Sequence, residues 1–280
     1  MSGSYWDEVR ATGLAVPSDR PLADLTAELT RMLGDTDPDR RDGIAYPTLA
    51  TWIERGVYDD LLAGLGDGMA SGLVVGLGER DTDTVYRRSF SVLVLGECLR
   101  RDNARSLLPG AKVLEWGDRI ATWLLRERDL RGYVAGQGWA HAIAHGADAL
   151  GELAGSVHVG KAELTVVLDV VADRVLAKGD TVFAAGEPDR LAAATMAVLR
   201  RNVVPLSILE PWIARLAGGA TARAGSGDPF LLTDNPEAFL RALYLQVALA
   251  PSPPEVRADL LLVLVDALRR TNSYYLGRRA

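Results

Sequence analysis

Cysteine is nearly missing from this chain: Cys98 stands alone among 280 residues. That excludes an internal disulfide and any zinc site built on several thiolates, and it fits a reducing compartment. Lying in the apolar run 91–99, Cys98 reads as a buried, inert thiol. A surplus of positive charge is lacking as well. The formal charge is -6 and lysine occurs only as Lys112, Lys161 and Lys178, so phosphate backbones, which bind through basic patches, are not expected partners.

Long hydrophobic runs are also absent. The most apolar stretches, 164–177 and 260–268, are broken by Asp169, Asp173, Arg174 and Asp266, and both fall short of the roughly 20 residues that cross a bilayer. The first eight residues carry no basic segment leading into an apolar one, so export by a secretory signal is not expected. Together these absences point to a cytoplasmic protein that engages neither membrane nor nucleic acid.

Alternating β-branched segments are scarce, whereas apolar residues recur at helical spacing through most of the chain. The expected class is all-α. Helices are expected at 4–13, 21–33, 46–54, 57–75, 83–101, 110–126, 134–154, 161–178, 187–201, 205–217, 235–249 and 254–270. Short connections favour antiparallel pairs stacked as a curved HEAT-like or armadillo-like array, with an irregular helical bundle as the alternative. With 48% hydrophobic residues, one domain over 1–280 can bury a full core. The stretch 218–234 lacks periodicity and reads as a linker or lid. Gly64 to Gly78 lacks the terminal Gly-Lys-Ser/Thr of a phosphate loop and reads as close helix packing ended by glycine.

The segment 136–154 is the most informative. Projected as a helix, Gln137, His141, His145, Asp148 and Glu152 share a sector of roughly 80°, with Trp139, Ile143, Leu150 and Leu153 opposite. Alanines 140, 142, 144, 147, 149 and 154 fill the flanks, which lets neighbouring backbones approach and places the stripe in a crevice. Trp139 is expected to be buried. His141 and His145, four residues apart, match paired metal ligands on a helix, with Asp148 as a third donor or an orienting carboxylate. The intervening Ala-Ile-Ala lacks the glutamate of a metalloprotease helix. A buried hydrogen-bond network explains the same residues.

Other charged clusters could join the stripe. Glu127, Asp129 and Arg131 form either a crevice rim or a solvated turn with Gly132 at positive φ. Asp81 and Asp83 precede a helix, where one suits capping and the other could meet a ligand, Arg87 or Arg88. Arg41 to Thr48 and Gly186 to Arg190 (Gly-Glu-Pro-Asp-Arg) place charges at helix mouths.

These residues carry a resemblance. Asp42-Xaa-Ile-Ala-Tyr-Pro-Thr, Asp83-Thr-Val-Tyr-Arg-Arg-Ser-Phe, Glu127-Xaa-Asp-Xaa-Arg-Gly-Tyr, Gly138-Trp-Ala-His-Ala-Ile-Ala-His-Gly-Ala-Asp and Glu187-Xaa-Asp-Arg-Leu resemble a bacterial family, the domain-of-unknown-function 2785 family. The resemblance is strongest over about 40–200. It implies a shared constellation of Asp83, Arg87, Ser89, Glu127, Asp129, Arg131, His141, His145, Asp148, Glu187 and Arg190, without roles.

The expected function is a helical-repeat scaffold whose groove presents Gln137, His141, His145, Asp148, Asp83, Arg87, Glu127, Asp129, Arg131, Glu187 and Arg190 to a small molecule or peptide. Two alternatives stay open: a hydrolase holding a divalent metal on His141, His145 and Asp148, and a structural protein-interaction module. The oligomeric state is left open.

Overall fold

The computed structural model describes residues 5–179, 181–221, 228 and 230–276. Among the described residues the chain is mostly helical, with one small two-stranded sheet. It divides into two compact units, Met1–Ala149 and Leu150–Ala280. No described helix is long and apolar enough to cross a membrane.

The first unit begins with α1 (Tyr5–Ala11) and α2 (Leu22–Met32). A short turn, α3 (Pro38–Arg40), runs through a π-helical stretch (Arg41–Ala45) into α4 (Tyr46–Glu54). There the Tyr46 amide donates to the Arg41 carbonyl, five residues back. Pro47 follows at once. In a regular helix its ring would crowd the carbonyl of residue 43, and the wider π turn relieves that clash. The unit continues with α5 (Leu62–Gly72), α6 (Thr84–Arg105) and α7 (Gly110–Arg126). Helix α6 packs on α4 and α5, and α7 on α5. Trp52, Trp116 and Trp123 fill this core together with Tyr86 and Phe90. Cys98 is buried in α6, and burial pushes its thiol well above the usual range.

Glycine content in α5 separates into two uses. A Cβ at Gly66 would overlap the Trp116 ring and one at Gly72 the Ser91 hydroxyl, so both mark close packing. At Gly64 and Gly68 nothing lies within 4 Å of a Cβ; both border an open apolar groove against Ala23 and Ala27 of α2. Exchanging either for alanine is therefore expected to stabilise the fold by about 0.5–1 kcal/mol. Urea denaturation of the single variants checks this, and a loss of stability in both would refute it.

The expected helix 134–154 is corrected. Tyr133–Val134 and Gly138–Trp139 pair as antiparallel strands β1 and β2, and helix α8 (Ala142–Gly155) starts only at Ala142. The segment Gly132-Tyr-Val-Ala-Gly-Gln-Gly-Trp139 carries three glycines, each costing a helix about 1 kcal/mol relative to alanine. Gly136 (φ 78°) and Gly138 (φ 78°) take the left-handed conformations that a short hairpin loop needs. Positive φ thus falls on these two and not on Gly132.

In the second unit α9 (Lys161–Leu176), α10 (Glu187–Arg200), α11 (Leu206–Ala220), α12 (Phe230–Leu249), α13 (Arg257–Thr271) and α14 (Ser273–Leu276) follow. Helix α12 packs on α9, α10, α11 and α13. Of the expected lid or linker 218–234, residues 218–220 close α11 and 230–234 open α12. Residues 222–227 and 229 lie outside the described residues. The Asp228 carboxylate accepts the Phe230 amide at 3.0 Å, and Pro236 sits inside α12 instead of at its start.

Candidate functional site

Arg41 organises one end of the first unit. Its guanidinium is fully buried, 4.1 Å from the Tyr86 ring centre and 5.0 Å from that of Phe90. Nη1 donates to the Asp35 carbonyl and Nη2 to the Gln137 carbonyl, each at 2.7 Å. Residues 96 positions apart are thereby tied together, and the hairpin is fastened to the π turn. Gly138 makes this approach possible, since a Cβ there would stand 3.1 Å from Arg41 Nη2 and from Pro38 Cβ. The Gln137 side chain completes the tie: Tyr86 donates its hydroxyl to Oε1 at 2.9 Å, and Nε2 donates to Asp83 at 3.3 Å.

Asp42 follows Arg41 and shares its ion pair at 2.7 Å, yet its buried Oδ2 has no aligned hydrogen bond. Burial raises the Asp42 carboxyl above the usual carboxylate range, with Arg41 and His141 pulling the other way. One turn on, Tyr46 donates to Glu97 at 2.9 Å. Glu97 is itself raised by burial and pairs with Arg100. The nearby charges of Glu97 and Asp148 join burial in pushing the Tyr46 hydroxyl up.

His141 precedes α8 in the left-handed conformation, φ 48°, and its carbonyl accepts the His145 amide. Non-glycine residues seldom take this conformation, though histidine enters it more readily than most, and Leu14, Asp81, Ser106 and Asn202 share it. Its ring stacks on Trp139 at 4.1 Å and 23°, and stands edge-on to His145 at 5.8 Å. Contrary to expectation, Trp139 is 41% exposed. Tyr133, its partner across the hairpin, is 62% exposed and meets it edge-on at 5.0 Å. His145 is buried against Phe90. Its Nδ1 lies 2.8 Å from the Ser89 hydroxyl, which donates to the Ala140 carbonyl. With that hydroxyl proton committed, Nδ1 carries a proton and donates to Ser89.

Ala140, Ala142, Ala144, Ala147, Ala149 and Ala154 are fully buried. A Cβ at Gly96 of α6 would come 3.3 Å from the Ala149 backbone, so the two helices lie close. Phe90 meets the Tyr46 ring at 6.4 Å and the His145 ring at 5.0 Å, the charge of His141 reaches Asp42 and that of Asp148 reaches Tyr46, and these residues of the first unit make up the candidate crevice.

A family model described as "Protein of unknown function (DUF2785)" matches residues 73–245, more than half of the chain. The chain belongs to this DUF2785 family. The matched span holds α6, α7, the hairpin and α8, so most of the crevice is family structure. Asp42 to Thr48 lies ahead of it. No curated protein and no solved structure matches the chain.

Within the DUF2785 chain, the charged clusters take different places. Gln137, His141, His145 and Asp148 border the crevice, and Asp83 reaches it through Gln137. Asp83 occupies the position before α6 without a capping hydrogen bond. Asp81, at φ 56°, lies 3.8 Å from Arg131. Glu127 and Asp129 are buried and form neither a rim nor a solvated turn. Glu127 grips Arg88 through bonds of 2.5 and 2.9 Å, and Asp129 holds Arg131 at 2.7 and 2.8 Å. Arg87 turns away to donate to the Thr30 carbonyl of α2. Glu187 and Arg190 belong to α10 in the second unit, where Glu187 is buried and accepts the Ala185 amide.

Among the described residues, no group of three or more His, Cys, Asp and Glu side chains stands in metal-holding geometry. His141, His145 and Asp148 therefore gain no donor set. Arg41, Asp42, Tyr46, Tyr86 and Glu97 are the crevice residues that spacing alone did not single out. The charged mouth at 41–48 was a signal for the first three.

Proposed function

We propose that this DUF2785 protein is a binding module whose crevice takes a small molecule or a peptide side chain, carried on helical pairs arranged as a HEAT-like scaffold. One observation carries the reading: His141 is held at φ 48° with its imidazole stacked on a half-exposed Trp139. An exposed tryptophan face stacked on an imidazole is open to a ligand and can pack against its apolar or planar part. Around them stand acceptors and donors of several kinds, which is how a site reads polar groups on a ligand.

His145 has a different part. Its bond to buried Ser89 makes it a structural support for the crevice wall, so its replacement should lower stability whether or not a ligand is present.

The test is thermal unfolding of the protein against a panel of metabolites and short peptides, repeated on His141→Gly, which removes the imidazole while suiting the backbone. A ligand at 100 times its Kd should stabilise by about 2.7 kcal/mol, a shift of a few degrees in Tm. That shift should vanish in His141→Gly while its unliganded Tm stays within a few degrees of wild type. A panel with no stabilising compound, or a shift that survives in His141→Gly, would sink the reading.

A further inference from the structure

We propose that the groove between α2 and α5 is a second binding site, separate from the crevice, and that it takes an aliphatic carboxylate of the fatty-acid type, with the alkyl chain along the groove and the carboxylate on Arg87. Helix α2 rests on α4 and the π turn, whereas α5 rests on α6 and α7. The space left between α2 and α5 is an open cavity of about 500 Å³, within the roughly 300–1,000 Å³ of small-molecule sites. Of the residues that line it, Asp60 is the one that carries charge. The Thr26 hydroxyl donates to the Leu22 carbonyl at 2.7 Å and stands 2.8 Å from the Tyr58 hydroxyl, so these polar groups satisfy each other. Ala23 and Ala27 on one side and Gly64 and Gly68 on the other are exposed. No other part of the protein comes within 4 Å of a Cβ built at either glycine, and a row of methylene groups laid there would gain by leaving water.

Charge decides the other end of the ligand. Arg87 of α6 reaches the groove's far end: Nη1 donates to the carbonyl of Thr30, a lining residue of α2, and Nε would stand 3.1 Å from a Cβ at Gly72, the last residue of α5. Nε and Nη2 donate to no described atom, and neither is sealed from solvent. Burial lowers the guanidinium from its ordinary range, with no neighbouring carboxylate to raise it. A half-buried arginine with most of its donor fork unused suits a carboxylate, which can take two parallel hydrogen bonds. Asp60 lies just ahead of α5, at the end away from Gly72. The groove therefore runs from negative to positive, which turns the head of an amphiphilic anion towards Arg87.

Isothermal titration of the full chain with octanoate, octan-1-ol, octylammonium and acetate tests this, each below the concentration at which it self-associates. Octanoate is expected to bind, and the other three about tenfold more weakly or not at all. Gly68→Leu fills the groove at an exposed helical position where nothing obstructs a side chain, so it should fold as wild type does and weaken octanoate by about tenfold or more. Arg87→Gln should bring octanoate down to the level of the alcohol, and Arg87→Lys should keep most of the preference. Because Gly68→Leu leaves Arg87 intact, it decides the matter even where Arg87→Gln fails to fold. His141→Gly should bind octanoate as wild type does. No heat from octanoate, or binding unchanged in Gly68→Leu, overturns the proposal. Equal binding of octanoate and octan-1-ol by wild type overturns it as well, and loss of octanoate binding in His141→Gly moves the ligand to the crevice and does the same. Sedimentation velocity covers the remaining occupant: a wild-type dimer that Gly68→Leu dissociates, without octanoate binding, assigns the groove to a second copy of the chain and overturns the proposal.

Discussion

Glu127→Ala is expected to lower the unfolding free energy by about 3–5 kcal/mol, because it strands a buried guanidinium. Arg88 and Glu127 have no exposed side-chain surface, and they face each other through paired hydrogen bonds. The same carboxylate accepts from Trp123 Nε1 and from the amides of Arg128 and Asp129. Arg88 also donates to the carbonyls of Val75 and Gly76, so truncation loosens the segment before α6 as well as the turn before the hairpin. The contrast is Arg119→Ala, which breaks an exposed pair with Glu115 and should cost about 1 kcal/mol or less. Urea denaturation followed by circular dichroism measures both. The double exchange Arg88→Met with Glu127→Leu should lose less than Glu127→Ala, since it leaves no unpaired buried charge. Equal losses would show that packing, and not charge, dominates there.

Arg41→Met is the second large expectation, with a loss of about 3 kcal/mol from removing a buried cation that holds two carbonyls and one carboxylate. Its structural signature should be local. Amide hydrogen exchange should accelerate over 131–141, where the hairpin loses its bond to Arg41 Nη2, and ligand stabilisation should fall with it. Arg41→Lys should not restore either property, because a point ammonium cannot fork to two carbonyls while also sitting over the Tyr86 and Phe90 rings. Uniform exchange in the variant and the wild type across 131–141 would remove Arg41 from its organising place.

Much of the helical layout was legible from periodicity. Helices α4 and α7 begin and end where the apolar spacing puts them, because each is bounded by its own sequence signals and meets the core with one face. The buried alanine flanks of α8 were legible for the same reason. What failed was the start of α8. Gln137 and His141 project onto the His145 face if the segment is helical, but glycines at 132, 136 and 138 outweigh that pattern and fold it into a hairpin. Gln137 still reaches the crevice, by a different route. Trp139 could not be placed correctly once the segment was read as a helix, since the face opposite the histidines does not exist before residue 142.

The buried pairs were invisible for another reason. Charges at 127, 129 and 131 look like any solvated turn until Arg88, 39 positions earlier, is brought against Glu127. The tie from Arg41 to residue 137 is longer still, and no local spacing encodes it.

The π turn at 41–45 decides how the Arg41 cluster and the core share one stretch of chain. An α-helix fixes each residue at about 100° from the last, so a regular helix through 38–54 would lock the direction of Arg41 and Asp42 to that of Leu49, Trp52 and Ile53. The extra residue in the turn uncouples those directions. Core packing on α4 and the buried charges of Arg41 and Asp42 can then change independently, and deletion of one residue within 43–45 would swing Arg41 and Asp42 about 100° around the axis while leaving the apolar face of α4 in register. The bulge works as a phase adjuster between two surfaces with different demands.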